Sequence, residues 1–167
     1  MSDEHVKDGV DSLHDASADV ECAALAKQAP ETIGASLIAL INQRKPYFYT
    51  SLTDDSREGR LRAVRYMTDK TNGIDDILHP NYFLVKDVVL TPAMFVDKDG
   101  VSVVTPKCIL INPEGKHVSI MSKVWVTEFL GLFLFMGNPP WNEPIKVSAK
   151  QVKGNGANRY YTLWIPE

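Results

Sequence analysis

The sequence predicts a mainly β fold: a small barrel of element order β-β-β-α-β-β, preceded by an N-terminal helical arm. Three observations predict it. Between residues 82 and 165, β-prone runs recur with turn signals between them: Asp97-Lys98-Asp99-Gly100, Pro113-Glu114-Gly115 and Gly154-Asn155-Gly156. One long apolar stretch, Val124 to Met136, interrupts these runs once, after the third. Its segment Phe129-Leu130-Gly131-Leu132-Phe133-Leu134-Phe135-Met136 suits a helix that plugs a barrel between its third and fourth strands.

The elements follow in order. Residues 1–21 form an acidic tail, and residues 1–18 are poor in large apolar side chains, a composition that predicts disorder. Residues 22–45 are expected to be a helical arm. The stretch 19–29 is Ala-rich, and 31–44 places Ile33, Leu37, Leu40, Ile41 and Arg44 at helical spacing before Pro46. The arm should dock on the body or on another subunit. The domain proper then spans 46–167. Tyr47 to Leu52 is a short β-prone run. Arg57 to Met67 supports two readings: Leu61, Val64 and Met67 fit a helix, while the alternation Arg60, Leu61, Arg62, Ala63 fits a strand. Gly59 weakens a helix by about 1 kcal/mol, so a strand or mixed segment is expected. Ile74 to Leu78 reads as one helical turn.

Phe83 to Val96 is the first strand of the barrel, broken at Pro92. Val101 to Asn112 is the second, with a bulge or an edge at Pro106. His117 to Ser122 is the third. Lys123 to Met136 is the helix, stopped by Gly137-Asn138-Pro139-Pro140. Ile145 to Lys153 and Asn158 to Ile165 are the fourth and fifth strands. This is the order of the oligonucleotide/oligosaccharide-binding (OB) barrel, which commonly holds single-stranded nucleic acid or sugar chains.

Charge points to a polyanion. The 167 residues carry a formal net charge of −3, but residues 1–21 hold seven acids against Lys7, a local −6. The rest of the chain is therefore +3. An acidic tail on a mildly basic body fits a protein that handles polyanions, and equally a leader that only keeps it in solution. The N-terminus shows no basic start followed by an apolar stretch, so no secretory signal is expected. Val124 to Met136 is too short to span a bilayer and contains Thr127 and Glu128, so no membrane is expected. Two cysteines, Cys22 and Cys108, have no metal or CxxC spacing, which suggests a reduced cytoplasmic compartment.

Binding a single strand with little sequence preference needs cations along the phosphates and aromatic faces for the bases. The fourth strand alternates Ile145, Val147 and Ala149 with Lys146, Ser148 and Lys150; the fifth alternates Tyr161, Leu163 and Ile165 with Tyr160, Thr162 and Trp164. Paired across Gly154-Asn155-Gly156, they set a cationic row beside an aromatic one. Lys153 and Arg159 flank that turn. Lys98, Lys107 and Lys116 add charge from the first two hairpins. Taken singly, each lysine reads as an ordinary surface charge. Arg57, Arg60, Arg62 and Arg65 with Tyr66 make a second basic cluster, since arginine grips phosphate bidentately and stacks on bases. Pairing to Asp54, Asp55 and Glu58 would explain it as well. Trp141 suits a core cap, or a ring presented to a base.

Chemistry finds little support. No phosphate loop, HExxH or GxSxG occurs, and His117 stands alone at a strand start. Asp54-Asp55 and Asp75-Asp76 sit where helix caps belong. Cys108, in an apolar strand, reads as inert core. No enzyme, metal or cofactor is expected.

The pattern resembles the small single-stranded-DNA-binding proteins of tailed bacteriophages, over residues 48–165. It does so through Phe48-Tyr49-Thr50-Ser51-Leu52, Glu58-Gly59-Arg60-Leu61, Ile109-Leu110-Ile111-Asn112-Pro113-Glu114-Gly115-Lys116, Ser119-Ile120-Met121-Ser122-Lys123, Pro144-Ile145-Lys146-Val147 and Tyr160-Tyr161-Thr162-Leu163. The long N-terminal region has no clear counterpart there. The resemblance implies sequence-tolerant binding that protects phage replication or recombination intermediates in the host cytoplasm. Phage replication proteins would be further partners, and a homo-oligomer stays open. The rival expectation is a phage interaction protein that inhibits a host enzyme through its acidic tail.

Overall fold

The computed structural model describes residues 33–69, 73–156 and 158–167; the expected tail at 1–21 and the first part of the arm lie outside the described residues. In chain order the elements are α1 (Ile33–Gln43), β1 (Tyr49–Thr50), α2 (Arg57–Thr68), a 3-10 turn (Ile74–Ile77), β2 (Phe83–Val85), β3 (Asp87–Val96), β4 (Ser102–Ile111), β5 (His117–Ile120), α3 (Lys123–Gly131), α4 (Phe133–Met136), β6 (Ile145–Lys153) and β7 (Arg159–Trp164). The fold is mainly β. One sheet has the order β1-β3-β4-β5 and the other β2-β6-β7, with all neighbouring strands antiparallel.

The first predicted strand is two strands, because the run bends at Lys86. Val85 pairs with Ile145, whereas Asp87 pairs with Ile111. The Lys86 N–H also reaches the Ile111 carbonyl, 2.9 Å away, so two residues oppose one and the chain bends there. One apolar run thereby feeds both sheets.

Pro92, expected to break the strand, does not. It lies opposite Pro106 in an unbroken ladder. Val88 directs its carbonyl outward to Ser51, and Asp97 directs its N–H inward to Val101, which fixes the alternation along β3. Pro92 and Pro106 both occupy positions whose N–H would point outward, so the ladder loses no bond. They deprive β1 and β5 of donors beyond Leu90 and Cys108, where the outer pairings end. The remainder of β3 and β4 projects as a two-stranded arm.

The core lies between the sheets. Val88, Leu90, Cys108 and Leu110 come from one, Val85, Val147 and Ala149 from the other, and Trp125, Val126, Phe129, Leu130 and Phe133 from the helices. Trp125 stacks on Phe129 at 5.1 Å between centroids, and Phe129, Phe133 and Trp141 meet edge to face. The indole N–H of Trp125 donates to the Ser148 carbonyl at 3.0 Å. The single helix expected over Lys123–Met136 is two, separated at Leu132. α1 docks on this helical layer as expected, burying Leu37 and Ile41; a Cβ at Gly34 would come within 2.6 Å of the Leu130 carbonyl oxygen.

Residues 57–68 are helical, correcting the expected strand or mixed segment. The buried face is Gly59, Ala63, Tyr66 and Met67, while Leu61 and Val64 are exposed. Ser56 caps the helix by accepting the Gly59 N–H at 3.0 Å. Gly59 is required there because a Cβ would come within 2.3 Å of the Asp54 carbonyl oxygen. Tyr66 and Met67, with Leu52, cover Val89, Ile109 and Ile111 on the outer face of the first sheet.

The sheets are open, in contrast to the closed barrel expected. Among the described residues β5 does not pair with β7. Glu128 of α3 takes the edge instead: its carboxylate accepts the Leu163 N–H at 2.6 Å and the Thr162 hydroxyl at 2.8 Å. An outward donor that a closing strand would use is therefore already satisfied.

Tyr47 and Tyr49 tie α1 and β1 to this core. Burial pushes both phenols from 10.0 up to about 12, reinforced by Cys108 for Tyr47 and Asp87 for Tyr49. A folded-state pKa above the unfolded value gives stability that is complete below pH 10 and is lost as pH rises toward 12. The protein should therefore unfold cooperatively in that window. Phenolate absorbance from Tyr47 and Tyr49 should rise together with the loss of circular dichroism.

Candidate nucleic-acid interface

The outer face of the β2-β6-β7 sheet gathers cations and rings because period-2 alternation places Val147 and Ala149 in the core and their neighbours opposite. Register completes the face. Leu84 pairs with Lys146, Ser148 with Trp164, Lys150 with Thr162 and Val152 with Tyr160. Tyr82, two residues before Leu84, extends it.

Two cation–ring pairs stand on this face. The Lys146 ammonium lies 5.4 Å from the Tyr82 ring centroid, and the Lys150 ammonium lies over the Trp164 ring at 2.9 Å. His79 meets Trp164 edge to face at 6.1 Å. Tyr82 is 51% exposed, Tyr160 42% and Trp164 39%, so each ring is held by neighbours yet open to a ligand. Trp125 is fully buried and Trp141 nearly so, which leaves Trp164 as the accessible indole.

The expected row of Lys146, Ser148 and Lys150 is not continuous. Ser148 is fully buried, and its hydroxyl is within donating distance of the Ile77 and Asn81 carbonyls at 2.9 and 2.7 Å. The turn at 77–81 thus separates the two lysines. Leu78 bridges Ala149 and the His79 N–H bonds its carbonyl, which fixes that turn against β6.

The other expected contacts are dispersed. Lys153 and Arg159 pair across the ladder on the opposite side of the hairpin, where Arg159 donates to the Gln151 side chain at 3.3 Å. Arg60, Arg62 and Arg65 lie on the exposed side of α2, which covers the far face of the first sheet. They are separated from Lys146 and Lys150 by both sheets. Arg60 donates to the Asp55 carbonyl, and the Arg62 guanidinium adds to the Ser56 hydrogen bonds that hold the Asp54 carboxyl below its usual range. Arg57, Arg60, Leu61 and Val64 line an open depression of about 330 Å³. Lys116 is exposed at the β4–β5 turn and pairs with Glu114 at 3.3 Å, a contact of small energetic weight.

Lys107 is corrected outright as a phosphate contact. It is 3% exposed, and its ammonium donates to the carbonyls of Tyr66, Met67 and Asp69, closing the C-terminal end of α2. Burial lowers its pKa, partly opposed by Asp69. Lys107→Met should cost on the order of 2 kcal/mol, because buried acceptors lose their donor. Urea unfolding would measure that loss.

Sequence reasoning missed Tyr82 and His79. Tyr82 was readable in principle, since Tyr82-Phe83-Leu84 alternates into β2; His79 reaches the face only through the turn. His117, read as isolated, holds the Asp69 carboxylate at 2.9 Å and packs on Tyr66. Cys108 is core as expected, and burial pushes its thiol up. Among the described residues no helix is long and apolar enough to cross a membrane.

No family model, no curated protein and no solved structure matches this chain.

Proposed function

We propose that the protein binds single-stranded nucleic acid, DNA foremost, with little sequence preference, on the outer face of the β2-β6-β7 sheet. The observation that carries this reading is the pair of cation–ring contacts, Lys146 with Tyr82 and Lys150 with Trp164, on one exposed face beside Tyr160. Lysines neutralise phosphates while rings stack on bases, and neither reads sequence. Strand order supports it further. The bent β2–β3 run, β4, β5, α3, β6 and β7 come in the order of the OB plan, although its third and fifth strands, β5 and β7, do not pair with each other. Lys153 and Arg159, on the other side of the hairpin, add phosphate contacts where the strand wraps round the hairpin end. The arginines of α2 lie too far round the body to share this site. Coating of phage replication or recombination intermediates fits the resemblance of the sequence to phage single-stranded-DNA-binding proteins.

Titration of poly(dT) against Trp164 fluorescence across a salt series tests the reading. Four phosphate contacts give a slope of log affinity against log salt of about −3 on a single strand. Lys146→Glu with Lys150→Glu should flatten it to about −1.5 while the melting temperature stays put. A flat response in the parent protein, or no binding at low salt, would reject the proposal.

A further inference from the structure

We propose that the outer face of α2 is a docking site for the acidic segment of this same chain, residues 1–21. The two sides of α2 differ in kind. Tyr66 and Met67 cover the first sheet. On the opposite side Leu61 and Val64 are 49% and 47% exposed, at the spacing that stacks them with Arg57 in one stripe. Arg60 flanks this stripe on one side and Arg65 on the other. Arg57, Arg60, Leu61 and Val64 enclose the open depression of about 330 Å³. The helix carries four arginines against Glu58 alone. Asp54 stays at the cap, accepting the Ser56 N–H with Arg62 beside it, so Arg57, Arg60 and Arg65 frame the stripe.

Such a face suits a ligand that is both anionic and apolar. Residues 1–21 carry a net −6, and Asp8, Asp11 and Asp15 alternate with Val6, Val10 and Leu13. A nucleic-acid strand would match the charge but brings no aliphatic side chain to Leu61 and Val64. The β2-β6-β7 face matches the segment less well, because its two lysines sit over rings. The docking site lies beyond the first sheet from that face and does not depend on the nucleic-acid reading. Reach is sufficient. Residues 12–32 extend to roughly 70 Å, whereas half-way round a body about 40 Å across is about 60 Å, so Asp8 and Asp11 reach any point of its surface. Tethering sets an effective concentration on the order of millimolar. A contact too weak to hold two molecules together is therefore populated within one.

Paramagnetic relaxation in the full chain tests this. With Ser12→Cys and Cys22→Ser, a nitroxide goes to residue 12, since Cys108 is fully buried. The amides of α2 should lose more than half their intensity, while those of β6 and β7 keep theirs. Salt raised to about 1 M, where the screening length is about 3 Å, should restore the α2 signals. Arg57→Glu with Arg60→Glu should restore them too; acidic residues suit the N-terminal turn of a helix, so the fold is kept. Asp8→Lys with Asp11→Lys should do the same and leaves every described residue unchanged. Broadening that spares α2, or that survives both charge-reversed pairs, overturns the proposal. Equal broadening when nitroxide-bearing chain is mixed with label-free, isotope-enriched chain puts the segment on a second copy and also overturns it. So do α2 amides that respond only to added oligo(dT), which would give this face to nucleic acid.

Discussion

Replacing Phe129 with alanine is expected to lower stability by about 3–5 kcal/mol, a large fraction of what a domain of this size possesses. Phe129 has no exposed surface and touches three other rings: Trp125 stacked at 5.1 Å, Phe133 at 5.9 Å and Trp141 at 6.1 Å. Those neighbours cannot collapse into the void. Trp125 is held by its bond to the Ser148 carbonyl and Trp141 by its bond to the Gly137 carbonyl. The cavity therefore persists, and its cost adds to the lost transfer energy. Phe135→Ala, two turns away and 85% exposed, should change stability by no more than about 0.5 kcal/mol. Equal losses from the two substitutions in urea unfolding would refute the packing described.

The second large effect concerns binding. Trp164→Ala and Tyr82→Ala should each weaken binding to oligo(dT) by roughly 5- to 150-fold, the range for one base–ring stack. Both rings are partly exposed and each carries a lysine ammonium, so truncation removes a stacking face and frees its cation. Trp164→Phe should retain most of the affinity yet abolish the fluorescence change, because Trp125 and Trp141 are buried. Arg60→Ala and Arg65→Ala should change affinity less than twofold, since α2 lies beyond the first sheet. Anisotropy with a labelled oligonucleotide reads all of these. Losses confined to the α2 variants would move the interface to that helix.

Much of this was legible because alternation in a two-sided sheet is a local signal. Val147 and Ala149 announced the core face of β6, and Lys146 and Lys150 fell opposite them; the Gly154-Asn155-Gly156 turn set the register that brings Trp164 alongside. Residues 57–68 misled for a local reason too. The helix packs through Gly59 and Ala63, which are small, and leaves Leu61 and Val64 outside. Close approach rather than apolarity chose its buried face. Lys107 and Ser148 were illegible for another reason. Their partners lie about 40 and 70 residues away in sequence, and no periodicity reveals that a lysine ends a distant helix. Nor does the strand pattern reveal that the sheets stay open, with the outward Leu163 N–H met by the Glu128 carboxylate from a helix 35 residues away.

Photo-cross-linking of an oligo(dT) carrying 5-iodouracil, followed by peptide mapping, tests the location of the interface most directly. Adducts are expected at Trp164, Tyr82 and Tyr160, and should be lost in high salt. Adducts confined to the α2 peptide, or none at low salt with binding intact, would contradict it.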